Sequence, residues 1–186
     1  MNEKHKKTVS KFLSLVLRHQ PETIGLQLDA NGWAVVAELI EKSANHDQPF
    51  SKEELDEIVT TNDKQRFIFN DDHTKIRANQ GHSIDVELNL PAVEPPELLY
   101  HGTVARFIGN IKVDGLQKMQ RQHVHLSKDT ETAIIVGDRR GKALILSINS
   151  GHMHADGFKF YLSANGVWLT DIVPATYINF PIQKES

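Results

Sequence analysis

The segment 90–97, with the sequence LPAVEPPE, constrains the fold of this chain more than any other stretch. Prolines occupy positions 91, 95 and 96, three within six residues. Proline fixes φ and lacks a backbone N–H, so this segment can continue neither a helix nor a central strand. It therefore predicts a linker at 91–97 between a first lobe, 1–90, and a second lobe, 98–186.

The length of 186 residues suits two such lobes. Each would have roughly 90 residues, near the lower limit at which a domain buries an independent core. The hydrophobic content of 39% and charged content of 24% are those of an ordinary globular protein. We therefore expect two small lobes, each with its own core.

The first lobe has the pattern of three helices followed by a hairpin. Apolar residues recur at helical spacing from Val9 to Leu17, and Pro21 ends that helix. A second helix is predicted after Gly32, and a third begins at the capping-box sequence SKEE, 51–54. Strands at 66–70 and 75–77 flank turn residues at 71–73. This order is typical of a winged-helix module. Many such modules bind nucleic acid, whereas others mediate protein contacts.

The second lobe is rich in predicted strands, so the fold class is α+β. A helix with apolar residues from Val104 to Ile111 is expected to end at Gly115. A shorter helix is predicted at 130–136. Predicted strands lie at 98–101, 123–127, 143–148, 158–162 and 166–169.

Composition excludes several classes of site. The chain has no cysteine, which rules out disulfides, thiolate metal sites and cysteine nucleophiles. His152 and His154 alternate on what reads as an exposed, strand-like loop, and nothing else completes a ligand set, so no metal is predicted. Neither a Rossmann fingerprint nor a P-loop is present. The sequence has no apolar run long enough for a membrane span and no signal-peptide core, so a cytoplasmic location is the default expectation. The expected oligomeric state is a monomer.

Several cationic and polar groups are candidate site residues. Arg18 and His19 close the first helix, where they either compensate the helix dipole or bind an anion beside a proton-transfer group. Arg66 opens the hairpin, and Arg139 and Arg140 share one turn. Lys4, Lys6, Lys7, Lys11 and Arg18 crowd the N-terminal region of a chain with net charge −3. This basic run is either a solvated terminus or a local anion-binding surface.

Two strand-end motifs are candidates for binding a nucleotide. His101-Gly102-Thr103 precedes a predicted helix, where glycine permits close approach of a ligand and the helix start offers N–H groups to an anion. His125-Leu126-Ser127 lies on a second predicted strand. Either motif alone is weak evidence for a nucleotide site, and the two together are stronger evidence.

Seven sequence blocks, in order, resemble the RNA 2′-phosphotransferase family and cover residues from about 9 to 180. They are LSLVLRH (13–19), NGW (31–33), DKQRF (63–67), IRANQGHS (76–83), LYHGT (99–103), VHLS (124–127) and NGVWLT (165–170). The resemblance implies an N-terminal winged-helix RNA lobe and a C-terminal ADP-ribosyltransferase-like NAD lobe.

The resemblance also implies the site residues. A catalytic set of arginine, histidine, arginine and arginine corresponds to Arg18, His19, Arg66 and Arg139, with Arg140 the alternative to Arg139. The positions expected to hold NAD are His101, Gly102, Thr103, His125 and Ser127.

The implied reaction transfers an internal RNA 2′-phosphate to NAD in two metal-independent steps. It passes through 2′-phospho-ADP-ribosylated RNA and gives RNA with a 2′-hydroxyl, nicotinamide and ADP-ribose 1″,2″-cyclic phosphate. In fungi the family is linked to tRNA splicing, so the expected partner is RNA carrying a 2′-phosphate. Two alternatives remain open: an ADP-ribosyltransferase that modifies terminal phosphates of nucleic acid, and a non-catalytic RNA-binding module.

Overall fold

A computed structural model describes residues 2–62 and 64–181. The described residues up to Asn89 form one compact unit, and those from Leu90 onward form a second. Both helices and strands occur in each, so the predicted α+β class is confirmed. No helix within the described ranges combines the length and apolar character needed to cross a membrane.

Helix α1 (Glu3–Arg18) carries the first unit's longest apolar stripe. The side chain of Asn2 accepts a hydrogen bond from the backbone N–H of His5 and caps the helix. At the other end, the N–H of His19 bonds the carbonyl of Leu15. The predicted stop at Pro21 is confirmed, because Pro21 begins a separate 3₁₀ turn, Pro21–Ile24. The helix therefore presents Arg18 and His19 at its C-terminal end.

The other two helices of the first unit are α2 (Val36–Ala44) and α3 (Lys52–Thr61). The capping box predicted at Ser51 is present: the Ser51 hydroxyl accepts from the Glu54 N–H, and the Glu54 carboxylate accepts from the Ser51 N–H. These bonds satisfy two backbone donors that would otherwise lack partners at the start of α3.

A three-stranded antiparallel sheet completes the first unit. The predicted hairpin is confirmed as β2 (Phe67–Phe69) and β3 (Lys75–Ala78), with Phe67 opposite Ala78. A third strand, β1 (Ala34–Val35), pairs with β3 and gives the order β1-β3-β2. The sheet packs with the helices around a core that includes Leu13, Leu17, Leu39, Leu55 and Ile76.

The second unit contains three helices and eight short strands among its described residues. The helices are α4 (Ala105–Asp114), α5 (Thr130–Gly137) and α6 (Ser150–Ala155). The strands are β4 (Leu99–Val104), β5 (Leu116–Gln117), β6 (Val124–Leu126), β7 (Ala143–Ile148), β8 (Tyr161–Leu162), β9 (Trp168–Thr170), β10 (Ile172–Val173) and β11 (Ile178–Asn179). They pair in the orders β11-β7-β4, β6-β9-β8 and β10-β5. The predicted Gly115 cap of α4 is confirmed.

The proline-rich segment 90–97 belongs to the second unit and forms hydrogen bonds within it. The N–H of Val93 donates to the carbonyl of Phe160 at 2.8 Å, and the hydroxyl of Ser150 donates to the carbonyl of Pro96 at 2.6 Å. Ser150 begins α6, which contains His152 and His154. The strand-like loop predicted there was wrong: buried Met153 anchors a short helix on the core.

Candidate active site

Arg18 and Arg66 lie together in the first unit although 48 positions separate them. The Nη2 of Arg18 donates to the backbone carbonyl of Arg66 at 3.3 Å, and the Asn79 N–H donates to the same carbonyl at 2.9 Å. The Arg18 guanidinium also lies 5.8 Å from the ring centroid of Phe67, a core residue. The end of α1 is thereby tied to the start of β2, and two arginines are brought to one place.

His19 is positioned by Ser83. Its Nδ1 lies 2.9 Å from the Ser83 hydroxyl oxygen, and the Ser83 N–H donates to the carbonyl of Arg18 at 2.9 Å. Ser83 thus satisfies a carbonyl at the end of α1 and orients the imidazole that follows. The sequence alone assigned no role to Ser83, although Ser83 is the last residue of the motif block IRANQGHS.

His82 lies beneath these groups with only 1% of its surface exposed. Burial is the main cause that lowers its pKa to about 4, and the positive charges of Arg18, His19 and Arg77 lower it further. Neither ring nitrogen has a hydrogen-bond partner among the residues that the structure describes. At neutral pH His82 is therefore an uncharged neighbour of a cationic cluster.

Arg77 extends that cluster along β3. Its guanidinium carbon lies 4.5 Å from the centroid of the Trp33 ring, a cation–π contact. Burial lowers its pKa, and the negative charge of Asp29 partly opposes this shift. Trp33 therefore contacts an arginine of the first unit.

In the second unit, β4 and β6 bring the two predicted nucleotide motifs together. The backbones of Tyr100 and Ser127 exchange N–H···O bonds of 2.9 and 2.8 Å. The Nδ1 of His101 lies 3.1 Å from the carbonyl of His125. Because a carbonyl only accepts, this contact requires a proton on Nδ1. The pairing therefore sets the tautomer of His101.

The environment of His101 favours the neutral imidazole. Burial lowers its pKa most, the bond to the His125 carbonyl opposes this, and the charges of Arg140 and Arg121 lower it again. With a proton on Nδ1, the neutral ring presents Nε2 as an acceptor. His101 is thus suited to accept a hydrogen bond from a hydroxyl group.

Gly102 lies on the opposite face of β4, where α5 packs. A Cβ at this position would lie 1.9 Å from the carbonyl oxygen of Ala133 and 2.9 Å from the nitrogen of Gly137. The close approach that glycine permits here is therefore to a helix backbone. Thr103, one residue on, is buried with 6% exposure. Alternation along the strand puts His101 and Thr103 on the face away from α5.

Arg121 is a site residue that the sequence reasoning missed. Its Nη1 lies 3.4 Å from Nδ1 of His125. Loss of solvation is the main cause that lowers its pKa, followed by the charges of Arg140 and Arg139. The three arginines therefore form one cationic cluster beside the two histidines. The only signal in the sequence was the spacing of four residues between Arg121 and His125.

Arg139 and Arg140 lie on the exposed turn after α5. The Arg140 N–H donates to the carbonyl of Gly137 at 3.0 Å, and the Asp138 carboxylate accepts from the Ala143 N–H at 3.0 Å. These bonds fix the turn that leads into β7. The positive charge of Arg140 lowers the pKa of both His101 and Arg121, and that of Arg139 lowers the pKa of Arg121.

In residues 2–62 and 64–181, no three histidine or acidic side chains are grouped to hold a metal ion.

Comparison with known proteins identifies the family that the motif blocks predicted. A family model described as RNA 2′-phosphotransferase, Tpt1 / KptA family, matches residues 4–172. The probable RNA 2′-phosphotransferase of Flavobacterium johnsoniae is 63% identical over 180 residues, which cover 97% of this chain and 99% of the relative. Those of Acaryochloris marina and Streptomyces coelicolor are 54% and 51% identical; the alignments cover 92% and 97% of this chain and 94% and 98% of the relatives. The chain therefore belongs to the RNA 2′-phosphotransferase, Tpt1 / KptA family.

Proposed function

We propose that this protein is an NAD-dependent RNA 2′-phosphotransferase. The observation that carries the proposal is the hydrogen bond from the Arg18 guanidinium to the backbone carbonyl of Arg66, which brings two of the motif blocks together in the first unit. His19 adjoins this contact because it directly follows Arg18 in the sequence. Relatives that match nearly the full length of the chain bear the name probable RNA 2′-phosphotransferase.

The first unit would bind the RNA 2′-phosphate. A phosphate monoester carries close to two negative charges at neutral pH, and the planar fork of arginine matches its oxygens. Arg18, His19 and Arg66 would hold these oxygens and stabilise the charge that spreads over them during transfer. The bond to Ser83 fixes the His19 ring, which suits this histidine to hold the phosphate or to move a proton.

The second unit has groups that fit a dinucleotide. Arg121, Arg139 and Arg140 offer positive charge to a diphosphate, and neutral His101 offers an acceptor to a ribose hydroxyl. Thr103, Ser127 and His125 remain expected NAD-binding positions. Gly102 would act indirectly, because its lack of a side chain lets α5 pack behind β4.

As a co-substrate, NAD would supply the ADP-ribosyl group that accepts the phosphate. In the first step the 2′-phosphate oxygen displaces nicotinamide from the ribose anomeric carbon, giving 2′-phospho-ADP-ribosylated RNA. In the second step the ribose 2″-hydroxyl attacks phosphorus and the RNA 2′-oxygen leaves. The arginines would stabilise the phosphate oxygens throughout.

The direct test is incubation of the protein with NAD and an RNA that bears one internal 2′-phosphate. We expect RNA with a 2′-hydroxyl, nicotinamide and ADP-ribose 1″,2″-cyclic phosphate, in equal amounts and in the presence of a chelator. An RNA without the 2′-phosphate is the control. Accumulation of a stable ADP-ribosylated terminal phosphate would instead support the alternative transferase, and absence of any NAD-dependent product would refute the proposal.

A set of single substitutions tests the arginines of the second unit. The family resemblance favours Arg139 as a catalytic residue. The contact between Arg121 and His125 makes Arg121 a further candidate. We expect Arg121→Ala to lower kcat/KM by about 10- to 100-fold, because a hydrogen bond to a charged group such as the diphosphate contributes about 1.5–3 kcal/mol. Arg139→Ala should lose more activity than Arg140→Ala. Single-turnover assays would follow each step, and near-wild-type turnover in Arg121→Ala would remove it from the site.

A further inference from the structure

A cation-lined groove runs between α1 and the end of α3 in the first unit. Its cavity volume is about 420 Å³. Among the described residues that line it, five side chains are cationic and one, Glu3, is acidic. The five are Lys6, Lys7, Lys11, Lys64 and Arg66. The groove thus concentrates positive charge on a chain whose net charge is −3.

The cations on α1 form a line that leads to the proposed phosphate site. Lys7, Lys11, Ser14 and Arg18 are spaced by four, three and four residues, which puts them on one helix face. Eleven residues separate Lys7 from Arg18, a distance of about 16 Å along the helix axis. Arg66 lines the groove, and its carbonyl accepts from Arg18. The groove and the phosphate site therefore share Arg66.

We propose that this groove binds the phosphodiester backbone of the RNA strand beside the 2′-phosphorylated nucleotide. The inference rests on the proposed function. A line of cations matches a linear polyanion, whereas one phosphate needs only the groups at Arg18, His19 and Arg66. The hydroxyl group of Ser10 adds a hydrogen-bond donor for phosphate oxygens, whereas the Ser14 hydroxyl donates to the Ser10 carbonyl at 2.9 Å.

The lining also indicates recognition without base preference. Ile58 is the one large apolar side chain among the described lining residues, and they include no aromatic ring on which a base could stack. The groove should therefore respond to strand length and salt concentration rather than to sequence. The ammonium of Lys6 lies 3.5 Å from the Glu57 carboxylate, which weakens it as a ligand for a second anion. We expect phosphate contacts from Lys7, Lys11 and Lys64.

A binding experiment tests the groove without requiring catalysis. The full-length protein is titrated into labelled single-stranded RNA of ten nucleotides that lacks a 2′-phosphate, at several salt concentrations. Three phosphate contacts predict a slope of log Kobs against log [salt] of about −2. The double substitution Lys7→Gln/Lys11→Gln should weaken binding at least tenfold and make the slope shallower by about 1.4, the share of two contacts.

The matched control is Lys52→Gln/Lys75→Gln, which removes the same charge from side chains of the first unit that lie outside the groove lining. It should leave affinity and slope unchanged. Lys7, Lys11 and Lys52 are exposed, and the ion pair of Lys75 with Asp29 at 3.2 Å lies at the surface, where such pairs contribute little. Both double variants should therefore unfold close to the wild type. Equal losses in the two variants, no RNA binding by the wild type, or equal affinity for polyglutamate would overturn the proposal.

A kinetic comparison separates this inference from the proposed function. For a ten-nucleotide substrate with an internal 2′-phosphate, Lys7→Gln/Lys11→Gln should raise KM about tenfold with kcat unchanged. For a 2′-phosphorylated dinucleotide, neither value should change. A similar rise in KM for both substrates would contradict the groove. If no phosphate is transferred from either substrate, the proposed function fails while the binding experiment still decides the groove.

Discussion

His82 links the chemistry of the first unit to its stability. Its folded-state pKa is about 4, while a histidine in the unfolded chain titrates near 6.5. Between these values the unfolded chain binds a proton that the folded unit excludes, so stability falls as pH falls. We expect the first unit to lose about 3 kcal/mol from this residue between pH 7.5 and pH 3.5.

Chemical denaturation at a series of pH values measures this effect. A Trp168→Phe background leaves Trp33, in the first unit, as the only tryptophan to report unfolding. His82→Gln, which cannot titrate, should flatten the pH dependence between 6.5 and 4. Exposed His154 provides the matched control as His154→Gln. The assignment fails if His82→Gln and the control show the same slope.

At the scale of elements, the contact between β4 and α5 depends on one missing side chain. A Cβ on Gly102 would overlap the carbonyl oxygen of Ala133, and backbone atoms cannot turn aside as a flexible side chain can. We expect Gly102→Ala to destabilise the second unit by about 3 kcal/mol, at the upper end of the usual cost of overpacking. Thermal unfolding followed by near-ultraviolet circular dichroism would measure the change.

Gly109 provides the control for that substitution. It lies in α4, and nothing stands within 4 Å of a Cβ placed there. Gly109→Ala should stabilise the protein by about 0.5–1 kcal/mol, because alanine has the higher helix propensity. If Gly102→Ala were as stable as Gly109→Ala, the close packing of α5 on β4 would be wrong.

The elements that could be predicted from sequence are those with local determinants. The capping box at Ser51 and the Gly115 cap mark helix boundaries by themselves, and β7 has the predicted bounds. The two-residue strands β1, β5, β10 and β11 were missed, because pairing with distant partners defines them rather than their own composition. The same reason hid α6, whose anchor is the burial of Met153.

The candidate site residues divide in the same way, into those with a local sequence signal and those placed by distant contacts. The position of Arg18 and His19 at a helix end could be predicted from periodicity, but the bond from Arg18 to Arg66 spans 48 positions, which no spacing rule reaches. Arg121 lies in a loop without periodic pattern, so its charge stood out only once His125 was placed beside it. The family resemblance, rather than physical pattern, singled out Arg66 from other solvated arginines.

At the scale of the whole molecule, charge distribution matters more than net charge. The chain is acidic overall, with 24 acidic against 21 basic residues. Five cations nevertheless line one groove, and three arginines surround two histidines. The local electrostatic potential, rather than the net charge of the chain, determines where anionic ligands bind.

The first unit should fold by itself. It has its own core, in which Leu13, Leu17, Leu39 and Leu55 are fully buried, and two of its helices, α1 and α3, have side-chain N-caps. A fragment of residues 1–89 is large enough to bury such a core, although with modest stability. We expect it to unfold cooperatively in urea, and Leu13→Ala to remove about 2–5 kcal/mol. Exposed Val35 offers the control as Val35→Ala, with a much smaller loss. A gradual transition that Leu13→Ala leaves unchanged would show that the core requires residues beyond Asn89.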